Sequence, residues 1–133
     1  MKNLPFLLST LIYEKTKITY LVSTGFLSLI MVFSASMYFL HNEMIQEAFT
    51  KLGYPTYIIY PLAGLKILGL VAIWSRSNLR LKEWAYAGFF FDLVLAATAH
   101  IAVNDNEQLP AIIAIVALLI SYFSGKKYFN EQY

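Results

Sequence analysis

Two apolar runs, each long enough to cross a lipid bilayer and each carrying one charge near its middle, constrain the fold more than any other feature. The first run, residues 56–74, contains Lys66, and the second, residues 84–103, contains Asp92. A helix needs about 20 apolar residues to cross the hydrocarbon core. Because a charge at that depth costs about 2.5–3.5 kcal/mol on insertion scales, we expect each of these residues to have a partner or a function.

Two further apolar runs complete a pattern of four spans. The chain of 133 residues is 59% hydrophobic and only 14% charged, which is far from the composition of soluble domains. We predict an all-α fold, a polytopic membrane four-helix bundle that forms one domain over residues 1–133. The predicted spans are approximately 19–40, 56–74, 84–103 and 110–123.

The segments outside the spans are short. Residues 43–52 are amphipathic and predict a short interfacial helix between spans 1 and 2, lying either on the membrane or over the mouth of the bundle. Residues 1–18 predict an interfacial arm, because Pro5 interrupts a short apolar patch that has no small-residue cleavage motif. We therefore do not expect a cleaved signal peptide.

Basic residues in the short flanks predict the orientation. Eight of them fall on one side of the four spans: Lys2, Lys15, Lys17, Arg76, Arg80, Lys82, Lys126 and Lys127. Lys51 is the only one expected on the other side. The positive-inside rule therefore predicts a multi-pass protein of the cell (inner) membrane with both termini in the cytoplasm.

This topology places the two intramembrane charges at the same depth. Lys66 is eight residues from Trp74, and Asp92 is eight residues from Trp84. Both should lie about 12 Å from the basic boundary, on antiparallel neighbouring helices, so we predict an ion pair. Such a pair either fixes the helix register or forms a site that binds a ligand or handles a proton.

Two patterns refine the predicted site. Small residues recur on one stripe of the third span with Asp92 in their midst: Ala85, Gly88, Ala96 and Ala99. This stripe predicts that Asp92 lies on a face packed against another helix. His100 lies about two turns beyond Asp92 and is predicted to be a polar lid over a pocket that contains Lys66 and Asp92.

The sequence also argues against several classes of function. A net charge of +2 argues against a nucleic-acid binder, and the absence of cysteine excludes thiolate catalysis and cysteine-ligated metals within this chain. No phosphate-binding loop, dinucleotide fingerprint or catalytic triad is present. His41 and His100 lack metal-ligand spacing, so we predict no metal site. A narrow, mostly apolar pocket would suit a lipophilic molecule such as a quinone, or a partner's helix.

Four stretches carry a resemblance to a known family. They are KLGYP at 51–55, PLAGLKILGLVAI at 61–73, RLKEWAYAGFFFDL at 80–93, and LAATAH at 95–100 with Asn104 and Asp105 after it. In this order and spacing, over about residues 20–125, the chain resembles the DoxX-like family of small four-span membrane proteins. The resemblance marks these family-motif positions: Lys66, Glu83, Trp84, Tyr86, Gly88, Asp92 and His100.

The resemblance implies a four-helix membrane bundle and suggests three kinds of function. Members of the broader group are associated with quinone-linked sulfur oxidation, with oxidative-stress complexes, or with the assembly of membrane receptors. The chain is thus expected to be an accessory subunit of a redox or stress-related assembly, an assembly or interaction factor, or a binder or transporter of a quinone-like or anionic molecule. Its expected partners are lipid and other membrane proteins or copies of itself. We do not expect catalysis by the isolated chain.

Overall fold

The computed structural model describes residues 3–75 and 78–130, and this part of the chain is helical with short connections. The helices are α1 (Leu4–Leu40), α2 (Asn42–Leu52), α3 (Ile59–Trp74, preceded by a 3-10 turn at Thr56–Ile58), α4 (Leu79–Val103) and α5 (Leu109–Asn130). The predicted all-α fold with four spans and a short helix between the first two is confirmed. Two of the basic residues used for the orientation, Lys2 and Arg76, lie outside the described residues.

The four long helices form an antiparallel bundle. α1 packs against α3 and α5, and α4 packs against the same two helices from the opposite side. Each interface therefore joins neighbours of opposite direction. A buried core fills the space between the helices, with Leu27, Met31, Leu70, Ile73, Tyr86, Phe89, Leu93, Ala114 and Leu118.

The outer surface of the bundle is as apolar as its core. Large hydrophobic side chains point outward on every long helix, among them Leu29, Leu68, Phe91 and Phe123, which are 62–71% exposed. Water would penalise such a surface by about 25 cal/mol for each Å² of apolar area, whereas lipid does not. The outward-facing hydrophobic side chains and the four helices that are long and apolar enough to span a membrane both indicate that the bundle lies in a bilayer.

Helix α2 covers one end of the bundle. It packs against α1 and α4, and its one buried residue, Phe49, meets the Tyr38 ring edge-on. The helix ends at Gly53, whose φ of 85° is a left-handed conformation that glycine adopts without strain. Tyr54 follows and donates a hydrogen bond from its hydroxyl to the Leu95 carbonyl oxygen at 3.0 Å. Of the two predicted locations for this segment, these contacts favour the mouth of the bundle.

Helices α1, α4 and α5 are longer than the predicted spans, and α4 begins at Leu79. α1 is continuous from Leu4, so the N-terminal arm and the first span are one helix of 37 residues, about 55 Å long. Pro5 does not interrupt it, because the first turn of a helix has no partner for the missing N–H group. At the other end α5 continues to Asn130, since the Tyr128 ring packs against the rings of Tyr13 and Tyr20.

Three buried hydroxyl groups connect α1, α4 and α5 inside the core. The Ser121 Oγ lies 2.5 Å from the Thr24 Oγ1 and 2.7 Å from the Tyr86 hydroxyl. Ser121 and Thr24 are fully buried. Thr24 on the first span therefore takes part in an interhelical hydrogen bond, as polar groups inside lipid-embedded bundles commonly do.

Replacing Ser121 by alanine is expected to lower the free energy of unfolding by about 1–2 kcal/mol, because two buried hydroxyls lose their shared partner. Ser124→Ala is the matched control. The Ser124 hydroxyl donates to the Ile120 carbonyl within its own helix, so its loss should cost less than about 0.5 kcal/mol. Unfolding by sodium dodecyl sulfate, followed by tryptophan fluorescence, measures both variants. Equal costs for the two serines would contradict an interhelical role for Ser121.

Candidate intramembrane polar site

Lys66 lies at the meeting point of α1, α3 and α4. Its side chain is only 6% exposed. The ammonium group donates a hydrogen bond to the Ser34 Oγ at 2.7 Å and lies 4.1 Å from the centroid of the Tyr38 ring. It also lies 3.8 Å from the Asp92 Oδ2, which confirms the predicted ion pair. One buried cation thus links three of the four spans.

The Asp92 carboxylate makes fewer polar contacts than the Lys66 ammonium. Its side chain is 23% exposed, and its nearest charged neighbour is the Lys66 ammonium at 3.8 Å, which is beyond hydrogen-bond length. Within residues 3–75 and 78–130, neither carboxylate oxygen accepts a hydrogen bond. A carboxylate within the hydrocarbon region normally gains such bonds. Asp92 therefore has acceptor capacity that the described chain does not use.

Asp92 and Lys66 lie in the wall of a groove between α3 and α4, which has a volume of about 280 Å³. The remaining lining residues are apolar or small: Leu62, Leu65, Leu68, Gly69, Ala72, Leu81, Trp84, Ala85, Gly88 and Phe89. Leu65, Leu68 and Trp84 are 61–69% exposed, so the groove opens sideways toward the lipid. It is a narrow, apolar cleft with one positive and one negative group in its wall.

The small-residue stripe of α4 has two roles, of which one was predicted. The face of α4 that packs into the core carries Tyr86, Phe89 and Leu93. Gly88 is exposed, and a Cβ built there would meet no atom within 4 Å. The prediction that this stripe packs against another helix of the bundle is confirmed at Ala85, which packs against the core, and at Ala99, which is buried. It is wrong at Gly88, where the missing side chain leaves the groove open.

His100 has a different neighbour from the one expected for a lid. Its Nδ1 lies 2.8 Å from the Asp105 Oδ2, and His100 is not among the residues that line the α3–α4 groove. This hydrogen bond holds the pKa of the Asp105 carboxyl below its ordinary value, and a second bond from the Glu107 N–H acts in the same direction. The loop fixes this arrangement, since Asn104 at its start adopts a positive φ of 56°. The structure thus brings Lys66 and Asp92 together and gives His100 a loop partner.

The same loop contains a group that the search for metal ligands by spacing did not find. One potential ligand atom from each of His100, Asp105 and Glu107 lies within 4.8 Å of the others. The spacing of the two histidines, His41 and His100, does not reveal this group. Asp105 makes hydrogen bonds to both His100 and Glu107. These bonds explain why the three side chains lie close together, and they stabilise the loop between α4 and α5.

The remaining family-motif positions fall on two faces of α4. Trp84 and Gly88 line the α3–α4 groove. Glu83 and Tyr86 face α5: the Glu83 Oε2 accepts a hydrogen bond from the Tyr122 hydroxyl at 2.7 Å, and Tyr86 reaches the buried Ser121. Two of these motif residues therefore line the groove, and the other two lie at the α4–α5 interface.

Two residues of the site were missed by the sequence analysis, namely Ser34 and Tyr38. Both lie on α1 one turn apart, and both contact the Lys66 ammonium. The apolar pattern does not give the register of α1 against α3, which the Trp74 indole fixes by donating to the Ser28 hydroxyl at 2.9 Å.

The four apolar helices, the outward-facing hydrophobic side chains and the intramembrane ion pair define a multi-pass helical membrane protein. The sequence profile of the DoxX-like family matches residues 22–123, which is most of the chain. The chain belongs to the DoxX-like family. Comparisons with curated proteins and with solved structures found no match.

Proposed function

We propose that the α3–α4 groove binds a lipophilic molecule with a hydrogen-bonding head group, such as a quinone, and that the chain serves as an accessory subunit of a redox or stress-related membrane assembly. The observation that carries the proposal is Asp92, a groove-lining carboxylate without a hydrogen-bond donor in the described chain. The hydroxyl of a bound quinol, the reduced form of a quinone, would supply that donor.

The chemistry of the groove supports a quinone-like ligand. Its apolar walls suit a ring or an isoprenoid chain, and its side opening gives access from the lipid phase. The Lys66 ammonium offers a donor for a quinone carbonyl, and Asp92 offers an acceptor for a quinol hydroxyl. The proposal assigns binding to this chain and leaves electron transfer to a partner. The inner membrane, with both termini in the cytoplasm, is the proposed location, supported by the basic residues of the flanks.

The test uses the full chain purified in mild detergent, with bound quinone quantified by mass spectrometry after solvent extraction. Gly88→Leu places a side chain in the groove, and nothing lies within 4 Å of a Cβ at that position. It should lower the quinone retained per protein about tenfold, which corresponds to a loss of about 1.4 kcal/mol in binding. Gly64→Leu is the matched control, since its Cβ also meets nothing within 4 Å and Gly64 does not line the groove.

The outcomes separate the proposal from its alternatives. Quinone that is retained by the wild type and by Gly64→Leu but lost from Gly88→Leu supports it. A wild-type protein that carries no quinone, or equal retention by the two glycine variants, overturns it.

A second candidate function is the docking of a helix from another membrane protein. Gly88 is the observation that favours it, because an exposed small residue with open space above its Cα permits close approach of a second helix. Asp92 would then pair with a polar side chain of that partner. Co-purification of a stoichiometric membrane protein that is lost from Gly88→Leu, without any bound small molecule, would identify this function instead.

A further inference from the structure

The side of α1 that faces away from the bundle carries a continuous stripe of apolar residues. Its positions follow one another at alternating steps of four and three residues, and all except one are hydrophobic or glycine: Leu4, Leu8, Leu11, Lys15, Ile18, Val22, Gly25, Leu29 and Val32. The large hydrophobic members are 50–71% exposed. We propose that this set, named the α1 stripe, joins two copies of the chain as a parallel dimer. None of its members lines the α3–α4 groove, so the proposal does not depend on the proposed ligand site.

The first argument is that the α1 stripe extends beyond the lipid. Thr24 and Tyr86 lie at one level, because both contact the Ser121 hydroxyl. From that level α4 extends only seven residues to its first residue, Leu79, whereas α1 extends 20 residues to Leu4. At about 1.5 Å per residue, α1 therefore projects about 20 Å past the beginning of α4. Because the 37-residue helix is about 55 Å long and a bilayer with its head groups is about 40–45 Å thick, acyl chains do not reach the three leucines at the start of the stripe.

The straightness of α1 favours a second copy over the membrane surface as the cover for these leucines. The helix would have to bend sharply to lay them on the membrane. It is continuous from Leu4 to Leu40, and residues 6–24 contain neither proline nor glycine, at which helices usually kink. A second copy requires no bend. Copies inserted with the same topology in one membrane present their α1 helices in the same direction, so the protruding leucines of two copies meet side by side.

The spacing of the α1 stripe matches a parallel pair of helices. Alternating steps of four and three repeat every seven residues, which is the period of coiled coils, and the stripe keeps this period through four repeats from Leu4 to Val32. The face of α1 that packs into the bundle carries Leu27 and Met31. At about 100° per residue, Leu29 lies about 160° around the helix from Leu27, so the bundle and a second copy occupy different faces.

Lys15 is the one charged member of the α1 stripe, and Glu14 beside it supplies a partner across the dimer. A single lysine at a core position of a coiled coil specifies register at a cost in stability. In a parallel pair, Glu14 of each copy lies beside Lys15 of the other, which gives two opposite-charge contacts related by a twofold axis. Both side chains are exposed, and within residues 3–75 and 78–130 neither forms an ion pair. The face is therefore complementary to itself in charge, as a twofold interface requires.

Gly25 lies on the part of the α1 stripe that lipid surrounds. A Cβ at this position would meet nothing within 4 Å. Open space above a glycine lets a second helix approach closely, which is how helices associate within lipid. The stripe thus offers contacts to a second copy both outside the bilayer, through its leucines, and inside it, through Gly25.

Disulfide cross-linking of the full chain in membranes tests the dimer. The chain contains no cysteine, so one introduced cysteine reports one position. Leu8→Cys and Leu11→Cys lie on the α1 stripe, whereas Ser9→Cys lies at nearly the same height but about 160° around the helix from Leu11. All three positions are exposed, which makes Ser9→Cys the matched control. With copper phenanthroline and oxygen as oxidant, we expect each stripe variant to form covalent dimers at least about tenfold faster than Ser9→Cys.

Exchange of the two charges tests the parallel arrangement. Glu14→Lys and Lys15→Glu each place like charges across the dimer and should weaken association about tenfold, whereas the double variant restores opposite charges and should recover most of the loss. Energy transfer between donor-labelled and acceptor-labelled copies, in vesicles of decreasing protein-to-lipid ratio, gives the dissociation constants. Lys127→Glu is the control, because Lys127 is exposed and lies on α5, and it should change association less than about twofold.

Three results would overturn the proposal. Equal cross-linking of Ser9→Cys and the two stripe variants would show random collision without an interface. Absence of covalent dimers from the stripe variants would contradict the dimer, and a slower reaction of their cysteines with a water-soluble maleimide than that of Ser9→Cys would then place the leucines against the membrane surface. A double charge variant that associates no better than the single variants would contradict the contact of Glu14 with Lys15 across a parallel pair.

Discussion

Lys66→Met and Asp92→Asn are each expected to lower the free energy of unfolding by about 2–3 kcal/mol, whereas the double variant should lose about 1–2 kcal/mol less than the sum. Removal of one partner leaves the other charge in the hydrocarbon layer without compensation, which costs about 2.5–3.5 kcal/mol on insertion scales. Removal of both eliminates that penalty. The two residues lie 3.8 Å apart, so their variants should be coupled.

The contacts of Lys66 limit how much the double variant recovers. The ammonium also donates to Ser34 at 2.7 Å and lies over the Tyr38 ring at 4.1 Å. These two contacts are lost with the lysine whether or not Asp92 is changed. They also keep Lys66 partly stabilised when Asp92 alone is replaced, so Asp92→Asn should cost less than Lys66→Met.

Unfolding of the detergent-solubilised protein by sodium dodecyl sulfate measures the coupling free energy. The matched control is the pair formed by Lys126 and Glu83, whose charged atoms lie 3.4 Å apart and whose side chains are 53% and 47% exposed. The cycle of Lys126→Met and Glu83→Gln should give a coupling below about 1 kcal/mol, because solvent screens an exposed pair. A coupling between Lys66 and Asp92 that is no larger than this control would mean that the two charges do not stabilise one another.

The depth of this ion pair was predictable from the sequence because helix geometry converts a residue count into a distance. Trp74 and Trp84 mark the same boundary, and eight residues from each lead to Lys66 and Asp92. Rotation about the helix axis was harder to predict. In lipid both faces of a helix are apolar, so the pattern that identifies the buried face of a soluble helix is lost.

The small-residue stripe of α4 illustrates that loss. Small residues mark close helix packing, but they also mark a cleft where no side chain fills the space. Gly88 belongs to the second case, whereas Ala99 on the same stripe is buried and belongs to the first. Neither the spacing nor the size of these residues distinguishes the two cases.

The partner of His100 depended on the conformation of a loop. Asp105 is only five residues away, yet their contact requires the chain to turn back through Asn104 and Asn106, both with positive φ. Asparagine tolerates that conformation better than most residues, but its presence does not specify which side chains then meet. The length of the apolar runs therefore predicted the spans, whereas loop geometry determined the neighbour of His100.

Gly69→Ala is expected to lower the free energy of unfolding by about 1–3 kcal/mol, because a Cβ at this position would lie 2.6 Å from the Phe89 Cζ. Phe89 is only 4% exposed and belongs to the core, so its ring cannot move away without disturbing its neighbours. Alanine forms helix more readily than glycine, by about 1 kcal/mol in a helix interior. The clash must therefore exceed that gain for the variant to be destabilised.

Gly64→Ala in the same helix separates these two contributions. Nothing lies within 4 Å of a Cβ at Gly64, so alanine there should leave stability unchanged or raise it by up to about 1 kcal/mol. The difference between the two variants under the same detergent unfolding then reports the cost of separating α3 from α4 at Phe89. If both variants are equally stable, Phe89 moves freely and the α3–α4 groove beside it is adjustable. A large difference means that the groove has a fixed shape before any ligand enters, which favours selective binding over adaptable packing.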